Sequence, residues 1–579
     1  MLPVQRASPT FALTALALAA IVAPMASHAQ NASAPRAFVE EQRQQERERA
    51  VREQNERSVD VQLQRPSVAE AQRLPSDESP CFQIDRILLD GERSSEFQWA
   101  LDAIAGPQGD DSPIGHCLGT AGVGIVLARV QQSVIARGFV TTRVLAGSQD
   151  LTQAALTLTL VPGRIAAIRF DGDAVPTSLR TAIPARVGEL LNLRDIEQGL
   201  ENLKRVPTAE ADIRIEASNA QNAQPGDSDL VVQYAQAKRW RGAVSLDDSG
   251  TEATGKYQAG ATLSLDNPLG LNDLFYISVN HSADGHGFGN PDKGTAGQIA
   301  HYSVPYGNWL FSVNASQSDY HQNVAGYFQN YAYSGESSNM GASVSRLLYR
   351  DQQRKTTASA RAFRRASHNF IDDTEIEVQR RVVGGWELAL NHREFLGPAT
   401  LDGNLAYRRG TGAFGAIAAP EERFGEGTSR MQIITADLGV NAPFQLGEQK
   451  LRYSGLWRAQ WNRTPLTPQD QFAIGGRFTV RGFDGDNSLL GDRGWLVRND
   501  IGLALGQGGA ELYAGVDHGE VGGLFVDRLI GRRLTGGVIG LRGAWGGLNY
   551  DFFVGVPIKK PERYQTASVT AGFNLNFNF

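Results

Sequence analysis

The last eleven residues of the chain, 569–579, constrain its fold more than any other segment. Apolar and aromatic side chains alternate there with small or polar side chains. One face carries Val569, Ala571, Phe573, Leu575, Phe577 and Phe579, and the other carries Thr570, Gly572, Asn574, Asn576 and Asn578. A soluble core rarely tolerates a continuous Gly, Asn and Thr face opposite an aromatic face, whereas a strand between lipid and a wet lumen requires it. The segment therefore predicts the final strand of a transmembrane β-barrel.

The region that leads to this strand has the same pattern. After Trp240 helical signals disappear, and short alternating segments follow that are separated by Gly, Asn, Asp and Ser. Residues 238–579 are enough for ~16 antiparallel strands of ~10 residues each, although length alone leaves ~14 to ~18 strands open. The expected fold class is mainly β with a C-terminal transmembrane barrel. The terminal phenylalanines Phe573, Phe577 and Phe579 are expected to act as its assembly signal.

The N-terminal residues 1–29 have the features of a secretory signal peptide. A basic residue precedes the apolar stretch Phe11–Ala23, and Pro24 ends that stretch. Ser27 and Ala29 are the small residues that a cleavage site needs. A membrane anchor is the alternative, but the apolar stretch is short for a span of ~20 residues. We therefore expect an exported protein that is processed after Ala29.

The next two segments are polar. Residues 30–57 are dominated by Glu, Arg and Gln, with Glu48 and Arg52 among the pairs at helical spacing. Two interpretations stay open for this segment: a solvated helix with little apolar surface, or a disordered charged tail. Residues 58–80 contain three prolines among polar residues and are predicted to form an extended linker.

Residues 81–162 and 163–237 each mix strand patterns with one helical pattern. The first segment has strand patterns over 83–89, 139–145 and 156–160, and a helical face over 123–134 that Gly138 ends. The second has strand patterns over 165–170, 211–217 and 229–235, and a helix that Asn192 caps and Pro207 ends. This order predicts two small periplasmic α+β domains in tandem, each near the lower size limit for an independent core.

Cysteine content and net charge indicate a disulfide and argue against several functional classes. Cys81 and Cys117 form the pair that an exported protein usually oxidises, so we expect a disulfide that stabilises the fold by ~3–4 kcal/mol. With only His116 nearby, the two thiols lack the spacing of a metal site. A net charge of -6 argues against nucleic-acid binding. Because no nucleophile stands beside a base and no phosphate-binding loop follows a strand, we expect neither an enzyme nor a cofactor.

Several segments resemble one known family when they are taken in order. The segments are Cys81–Ile84, Cys117–Gly119, Gly138–Val144, Arg194–Leu200, Arg205–Pro207, Leu265–Asp273 and Val480–Phe483. At these distances they resemble the two-partner secretion transporters, which include the haemolysin and filamentous-haemagglutinin secretion proteins. That family belongs to the superfamily that also holds the barrel-assembly factors. The resemblance covers the whole mature chain and identifies the two α+β domains as polypeptide-transport-associated (POTRA) domains.

The resemblance also implies roles for individual residues. The loop motif Val480, Arg481, Gly482 and Phe483 would fold back into the barrel lumen. An arginine confined there needs carboxylate partners because it cannot lose its charge. Asp517 resembles the principal partner of the family. Asp500 stands where relatives often carry Glu, and its strand pattern directs it to the lumen. The alternative is a solvated Arg481 in an outer loop near lipopolysaccharide.

The function that the resemblance implies is translocation across the bacterial outer membrane. The POTRA domains would recognise a dedicated large β-rich exoprotein (TpsA-type), the barrel would secrete or also activate it, and the helix within 30–57 would plug the pore. Outer-membrane lipid, lipopolysaccharide and the barrel-assembly machinery are the other expected partners of a monomeric barrel. Two alternatives remain: an assembly or insertase factor of the same superfamily, and a passive channel.

Overall fold

The computed structural model describes most of the chain downstream of the predicted signal peptide, whose residues 1–29 lie outside the described part. The described residues are 35–56, 59–63, 72–172, 177–284, 290–506 and 508–579, with the backbone alone for 35–39. Helix α1 covers Pro35–Asn55. Of the two interpretations of the charged N-terminal segment, the structure therefore contains the helix. Among the described residues, none of the helices is long and apolar enough to cross a membrane.

Two small α+β units follow α1. The first contains β1 (Phe82–Ile84), β2 (Arg86–Gly91), β3 (His116–Leu118), α2 (Thr120–Ala136), β4 (Arg143–Leu145) and β5 (Ala155–Val161). The second contains β6 (Ile165–Phe170), α3 (Leu179–Ala182), α4 (Leu193–Leu203), β7 (Ala209–Ala217) and β8 (Ser228–Gln236). Each unit has a three-stranded sheet, in the orders β2-β5-β4 and β6-β8-β7. One face of each sheet buries a separate apolar core against a helix.

The strand predicted over Phe139–Leu145 is wrong in its first half, because β4 begins only at Arg143. Gly138 ends the preceding helix with a φ of 97°, and the chain then runs irregularly beside that helix. Gln131 of that helix binds the end of this stretch and the start of β4: its amide donates to Thr142 O over 3.0 Å, and its side-chain oxygen accepts from Val144 N over 2.8 Å. The helix thus holds a backbone segment that an alternating pattern assigned to the sheet.

A closed antiparallel barrel follows these two units. Its strands and those of its loops are β9 (Trp240–Asp247), β10 (Gln258–Asp266), β11 (Leu274–Ser282), β12 (Lys293–Tyr306), β13 (Trp309–Ala325), β14 (Asn330–Arg350), β15 (Arg354–Ile371), β16 (Thr374–Glu375), β17 (Arg381–Leu396), β18 (Ala399–Thr411), β19 (Gln432–Leu446), β20 (Gln449–Asn462), β21 (Phe472–Ile474), β22 (Leu489–Gly491), β23 (Arg493–Leu505), β24 (Ala510–Gly522), β25 (Arg533–Trp545), β26 (Leu548–Lys559) and β27 (Thr570–Asn578).

Within the described chain, sixteen of these strands form the barrel wall, and the short strands β16, β21 and β22 belong to loops. The barrel closes where β27 pairs with β9 over five residue pairs, from Asn574↔Asp247 to Asn578↔Ala243. Short 3-10 helices cover Ser94–Glu96, Gln98–Ala103, Leu151–Gln153, Glu377–Gln379, Pro420–Phe424, Pro468–Asp470 and Val526–Arg528.

Along the barrel strands, apolar side chains that face outward alternate with polar or small side chains that face the lumen. In β17 the outward-facing Leu388 and Leu390 are exposed, and in β26 the same is true of Val554 and Val556. Polar and small residues face inward between them. The expected fold class, a barrel of about sixteen antiparallel strands after two small α+β domains and a helix, is confirmed.

Candidate functional site

Arg481 lies in the long loop 463–492 between β20 and β23, and its side chain is only 5% exposed. Its Nε and Nη2 donate to the two carboxylate oxygens of Asp517 over 2.7 and 2.8 Å. Its backbone N–H donates to the same carboxylate over 2.9 Å. Nη2 also donates to Asp500 Oδ1 over 2.5 Å. The structure thus brings together the arginine and the two carboxylates that the sequence singles out.

Two further arginines, which the sequence did not point to, complete this charge cluster. Arg498 Nε is 3.8 Å from Asp517, and Arg542 Nη1 is 3.3 Å from Asp500. Asp517 is fully buried, so its charge depends on these cations and on the bidentate contact with Arg481. Both extra arginines lie on barrel strands at lumen-facing positions. The alternation of side chains along these strands is the sequence signal that could have placed them in the lumen.

The rest of the loop motif packs beside the ion pairs. Val480 and Phe483 are buried, and the Phe483 ring meets Tyr564 edge-on at 5.7 Å between centroids. They belong to a buried apolar cluster of the loop and the outer ends of its strands, namely Phe472, Ile474, Val480, Phe483, Leu489, Leu496, Val521, Leu534 and Tyr564. Gly482 turns the backbone with a φ of 92°, a conformation that favours glycine. The motif therefore holds the loop against the inner wall of the barrel.

A row of inward-facing glycines makes this contact possible, and we call it the glycine track. It consists of Gly515, Gly519, Gly536 and Gly555 on three neighbouring strands. A Cβ on Gly536 would lie 1.8 Å from Arg481 O, and one on Gly555 would lie 2.8 Å from Gly482 Cα. The backbones approach so closely that no other residue fits without moving the loop. Sequence reasoning missed these residues, although Gly515 and Gly519 alternate with Asp517 on the lumen face.

Helix α1 runs through the lumen beside this loop. Its polar side chains reach several strands of the wall. The contacts include Glu46 with Arg458 (3.0 Å), Arg47 with Gln258 (2.8 Å), Glu41 with Arg365 (3.6 Å) and Asn55 with Ser264 (3.0 Å). Glu56, directly after the helix, contacts His301 at 2.8 Å. Gln42 donates to Gln471 O over 2.9 Å, and Arg43 donates to Gly485 O, so α1 also touches the Arg481 loop.

An open cavity of about 2070 Å³ lies between the last turn of α1, the second α+β unit and the inner wall. Polar side chains line most of it, including Asn55, Gln236, Arg452 and Asn576. Because β9 begins directly after the second unit, this cavity is at the end of the barrel to which the α+β units attach. It opens the lumen toward them.

The second unit is fixed to the same end of the barrel by polar contacts. Asn202 of α4 donates to Gly307 O over 2.9 Å, between β12 and β13. Thr177 donates to Asn272 over 2.7 Å, between β10 and β11. These contacts hold the unit close to the mouth of the cavity.

The remaining residues predicted from the sequence lie outside the lumen. Cys81 and Cys117 form a disulfide that joins the strands β1 and β3, with Cα atoms 5.3 Å apart. At the chain end, Phe579 N donates to Gly242 O over 3.0 Å, so the terminal residue closes the sheet against β9. Phe573 stacks on Tyr257 at 6.2 Å. Among the described residues, no cluster of His, Cys, Asp and Glu could hold a metal ion.

Comparison with known proteins agrees with this architecture. The family model described as haemolysin secretion/activation protein ShlB/FhaC/HecB matches residues 226–543. The chain belongs to this family. A ShlB-type POTRA domain model matches residues 82–163, and a second POTRA domain model matches 164–217. The chain is thus an outer-membrane transporter of the two-partner secretion class, with its POTRA domains in the periplasm.

Individual members of the haemolysin secretion/activation family show how far the similarity extends. The outer membrane transporter CdiB-2 of Burkholderia pseudomallei (strain 1026b) is 36% identical over 592 residues, with 99% of both chains covered. The hemolysin transporter protein ShlB of Serratia marcescens is 24% identical over 70% of this chain and 71% of its own. The structure of CdiB from Acinetobacter baumannii matches with a TM-score of 0.80 at 29% identity, over 94% of this chain and 98% of that one.

Proposed function

We propose that this transporter recognises one dedicated, large β-rich exoprotein (TpsA-type) with its POTRA domains and passes it in extended form through the barrel lumen. The observation that carries the proposal is that a polypeptide segment, helix α1 (Pro35–Asn55), already occupies the lumen. A helix with its side chains is ~10–12 Å wide, so its departure would leave a passage wide enough for an extended chain. The cavity between the POTRA domains and the lumen would be the point at which the exoprotein enters.

The contacts of α1 suit a plug that can leave. Apart from Val51, which packs beside an apolar cluster that includes Tyr276 of the wall, the contacts named above are polar or charged. Glu41 and Arg365 are largely buried while α1 is in place, but its departure exposes both partners of such a pair to the water of the lumen. Rehydration of both partners then offsets the lost attraction, so α1 can leave without one large barrier. Two α1 residues, Glu46 and Arg47, face carboxylate, guanidinium and amide groups of the wall that would be solvated once α1 has moved. We propose that α1 fills the lumen at rest and is displaced during transport.

We further propose that the Arg481 loop is the fixed side of the passage. Asp517, which receives three hydrogen bonds from Arg481 and is fully buried, would be the principal anchor. Asp500, which Arg542 also approaches, would be the secondary one. With the glycine track beneath it, the loop would stay against the wall while α1 moves.

Three further partners are proposed from the outer surface of the barrel. The apolar outer face would contact outer-membrane lipid and lipopolysaccharide. The last strand, β27, has Phe573 and Phe577 on one face and Phe579 directly after it, and the barrel-assembly machinery would recognise these residues during biogenesis. We propose a monomer, because pairing of β27 with β9 leaves the sheet without a free edge.

Secretion of a cognate exoprotein produced in the same cells tests the proposal. Cells with the wild-type transporter, without it, and with Arg481→Ala would be compared at measured barrel abundance. We expect secretion to require the transporter and to fall in Arg481→Ala at normal abundance. Arg532→Ala, which removes an exposed arginine from an ion pair with Asp527, is the matched control and should secrete normally.

If secretion instead persists without the transporter while general outer-membrane protein levels drop, an assembly factor replaces the proposed function.

A further inference from the structure

The linker residues 59–63, which we call the strap segment, lie in a cleft at the barrel's periplasmic end. The segment alternates like a strand: Val59, Val61 and Leu63 are partly buried, whereas Asp60 and Gln62 are exposed. Val61 and Leu63 pack against the apolar core of the second POTRA domain. A segment outside both folded domains thus contributes alternate side chains to a domain core.

Charged side chains bind the backbone of the strap segment. Glu201 accepts the Val61 N–H over 3.1 Å, and Glu197 accepts the Leu63 N–H over 3.0 Å. Both glutamates project from α4. From the last residue of β14, Arg350 Nη2 donates to Val61 O over 2.6 Å. Groups that bind peptide N–H and C=O do not depend on the side chains of the segment that they hold.

In addition to these backbone contacts, one contact involves a polar side chain of the strap segment. Arg393, near the periplasmic end of β17, is 2.5 Å from the carboxylate of Asp60. We call the set formed by Glu197, Glu201, Arg350, Lys355 and Arg393 the α4 cleft. It therefore combines backbone recognition with an apolar pocket for every second residue and a cation for an acidic residue between them.

The α4 cleft does not need the strap segment to keep its charges paired. Glu197 also contacts Arg194 at 2.6 Å and Arg350 at 3.1 Å. Glu201 also contacts Arg350 at 2.9 Å and Lys355 at 2.5 Å. These glutamates and Arg350 are at most 7% exposed, so unpaired charges there would be costly. Because every carboxylate keeps a cation, the cleft can stay formed when the strap segment leaves.

We propose that the α4 cleft is a binding site for an extended segment of the exoprotein, and that the strap segment occupies it at rest as an internal stand-in. The ligand would be a β-type segment with apolar residues at alternate positions and an acidic residue between them, as in Val59-Asp60-Val61-Gln62-Leu63. This inference rests on the proposed function, because only a secreted β-rich chain would bring such segments to the periplasmic mouth.

Replacement of the strap segment by an exoprotein segment would also affect how firmly α1 is held in the lumen. The segment follows α1 closely in sequence, and the end of α1 is held by Asn55 on Ser264 and Glu56 on His301. While the strap segment stays in the cleft, it anchors this end of α1 next to the cavity. An exoprotein segment that replaces it would lengthen the tether of α1 and favour its departure from the lumen.

The test measures binding of a fluorescent synthetic peptide with the sequence of residues 57–65 to the purified full chain in detergent. In the wild-type chain the strap segment competes from a high effective concentration. We expect the double variant Val61→Asp/Leu63→Asp, whose own strap segment fits poorly, to bind the peptide at least ~tenfold more tightly. Gln62→Asp, which changes an outward-facing residue, is the matched control and should bind like the wild type.

Adding Arg350→Ala to the double variant should remove this binding, and Arg350→Lys should retain part of it. Heat-modifiable gel mobility would verify barrel folding in each variant. Equal peptide affinities in the wild type and the double variant would overturn the inference, as would binding that does not depend on Arg350. If either of these outcomes occurs while secretion still requires the transporter, only the inference about the α4 cleft is wrong. If secretion does not require the transporter, the proposed function itself is wrong.

Discussion

Arg481 has two carboxylate partners, and the geometry ranks them. Asp517 is fully buried and accepts three hydrogen bonds from Arg481, one of them from the backbone. Asp500 accepts from the guanidinium alone and also has Arg542 nearby. Because the backbone contact fixes the loop itself and not only a side chain, loss of Asp517 should release the loop more than loss of Asp500.

We therefore expect Asp517→Asn to reduce secretion strongly at normal barrel abundance and Asp500→Asn to reduce it less. Breaking a buried pair by removing one partner typically costs ~3–5 kcal/mol, enough to displace the loop. Secretion per transporter would be measured for each variant, with Asp527→Asn in an exposed ion pair as the control. Equal secretion by Asp517→Asn and the control would contradict the ranking.

The glycine track gives a second prediction for single residues. Gly536→Ala places a Cβ 1.8 Å from Arg481 O, so the loop must move from the wall. We expect greater protease sensitivity of the loop 463–492 and lower secretion in this variant. Gly439→Ala in β19 is the matched control, since nothing lies closer than 3.8 Å to its added Cβ. Similar protease sensitivity in the two variants would show that the close approach does not hold the loop.

At the scale of elements, docking of the second POTRA domain should depend on pH through Glu201 of α4. Burial raises the pKa of Glu201, but Lys355 and Arg350 outweigh burial and hold this pKa below the ordinary value of 4.5. A carboxyl whose pKa is depressed on docking stabilises the docked state above its undocked pKa. That contribution is lost as pH falls through the lower, docked pKa.

We therefore expect the docked state to persist from neutral pH to about pH 5 and to weaken below about pH 4.5. Hydrogen exchange of the α4 region, followed as a function of pH, measures this change. Glu201→Gln should lose most of the pH dependence because it has no charge to titrate. Asp212→Asn on β7, which no ion pair joins to the barrel among the described residues, is the control. An unchanged profile in Glu201→Gln would rule out this carboxyl as the cause.

The sequence predicted elements well where a pattern belongs to one element. The last strand and the helical faces within residues 123–134 and 193–203 follow from side chains that alternate or recur at helical spacing. The stretch 139–142 was assigned wrongly because the neighbouring helix binds its backbone at both ends: Phe139 N–H donates to Val134 O, and Thr142 O accepts from Gln131. The alternation of residues along one segment does not show that a neighbouring helix binds the backbone of that segment.

The same limit applies to the candidate site. Arg481, Asp500 and Asp517 could be named because strand alternation and a motif mark them. The glycine track could not, because a glycine in a strand has many explanations until the loop that packs on it is known. The α4 cleft was also missed, since it joins a linker, a helix and three barrel strands that are far apart in sequence.

At the scale of the whole molecule, the structure joins three parts at one place. The second POTRA domain, the strap segment and the last turn of α1 meet at the periplasmic mouth, next to a cavity of about 2070 Å³. The other end of α1 touches the Arg481 loop through Gln42 and Arg43. A change at the POTRA domains can therefore reach the lumen through one continuous segment of chain. The central claim is that α1 must leave the lumen for the exoprotein to pass.

The most direct measurement of this claim is secretion with α1 held covalently in the lumen. Arg47 lies near the middle of α1, and its Nη2 is 2.7 Å from Ser249 Oγ in the loop between β9 and β10. Cysteines at both positions would lie within reach of a bis-methanethiosulfonate cross-linker, which joins two thiols through disulfides that a reductant cleaves. Arg47→Cys alone and Ser249→Cys alone, treated with the same reagent, are the controls. We predict that the double variant secretes almost nothing when cross-linked and recovers when a reductant is added, whereas both single variants secrete normally. Undiminished secretion by the cross-linked transporter would contradict the account.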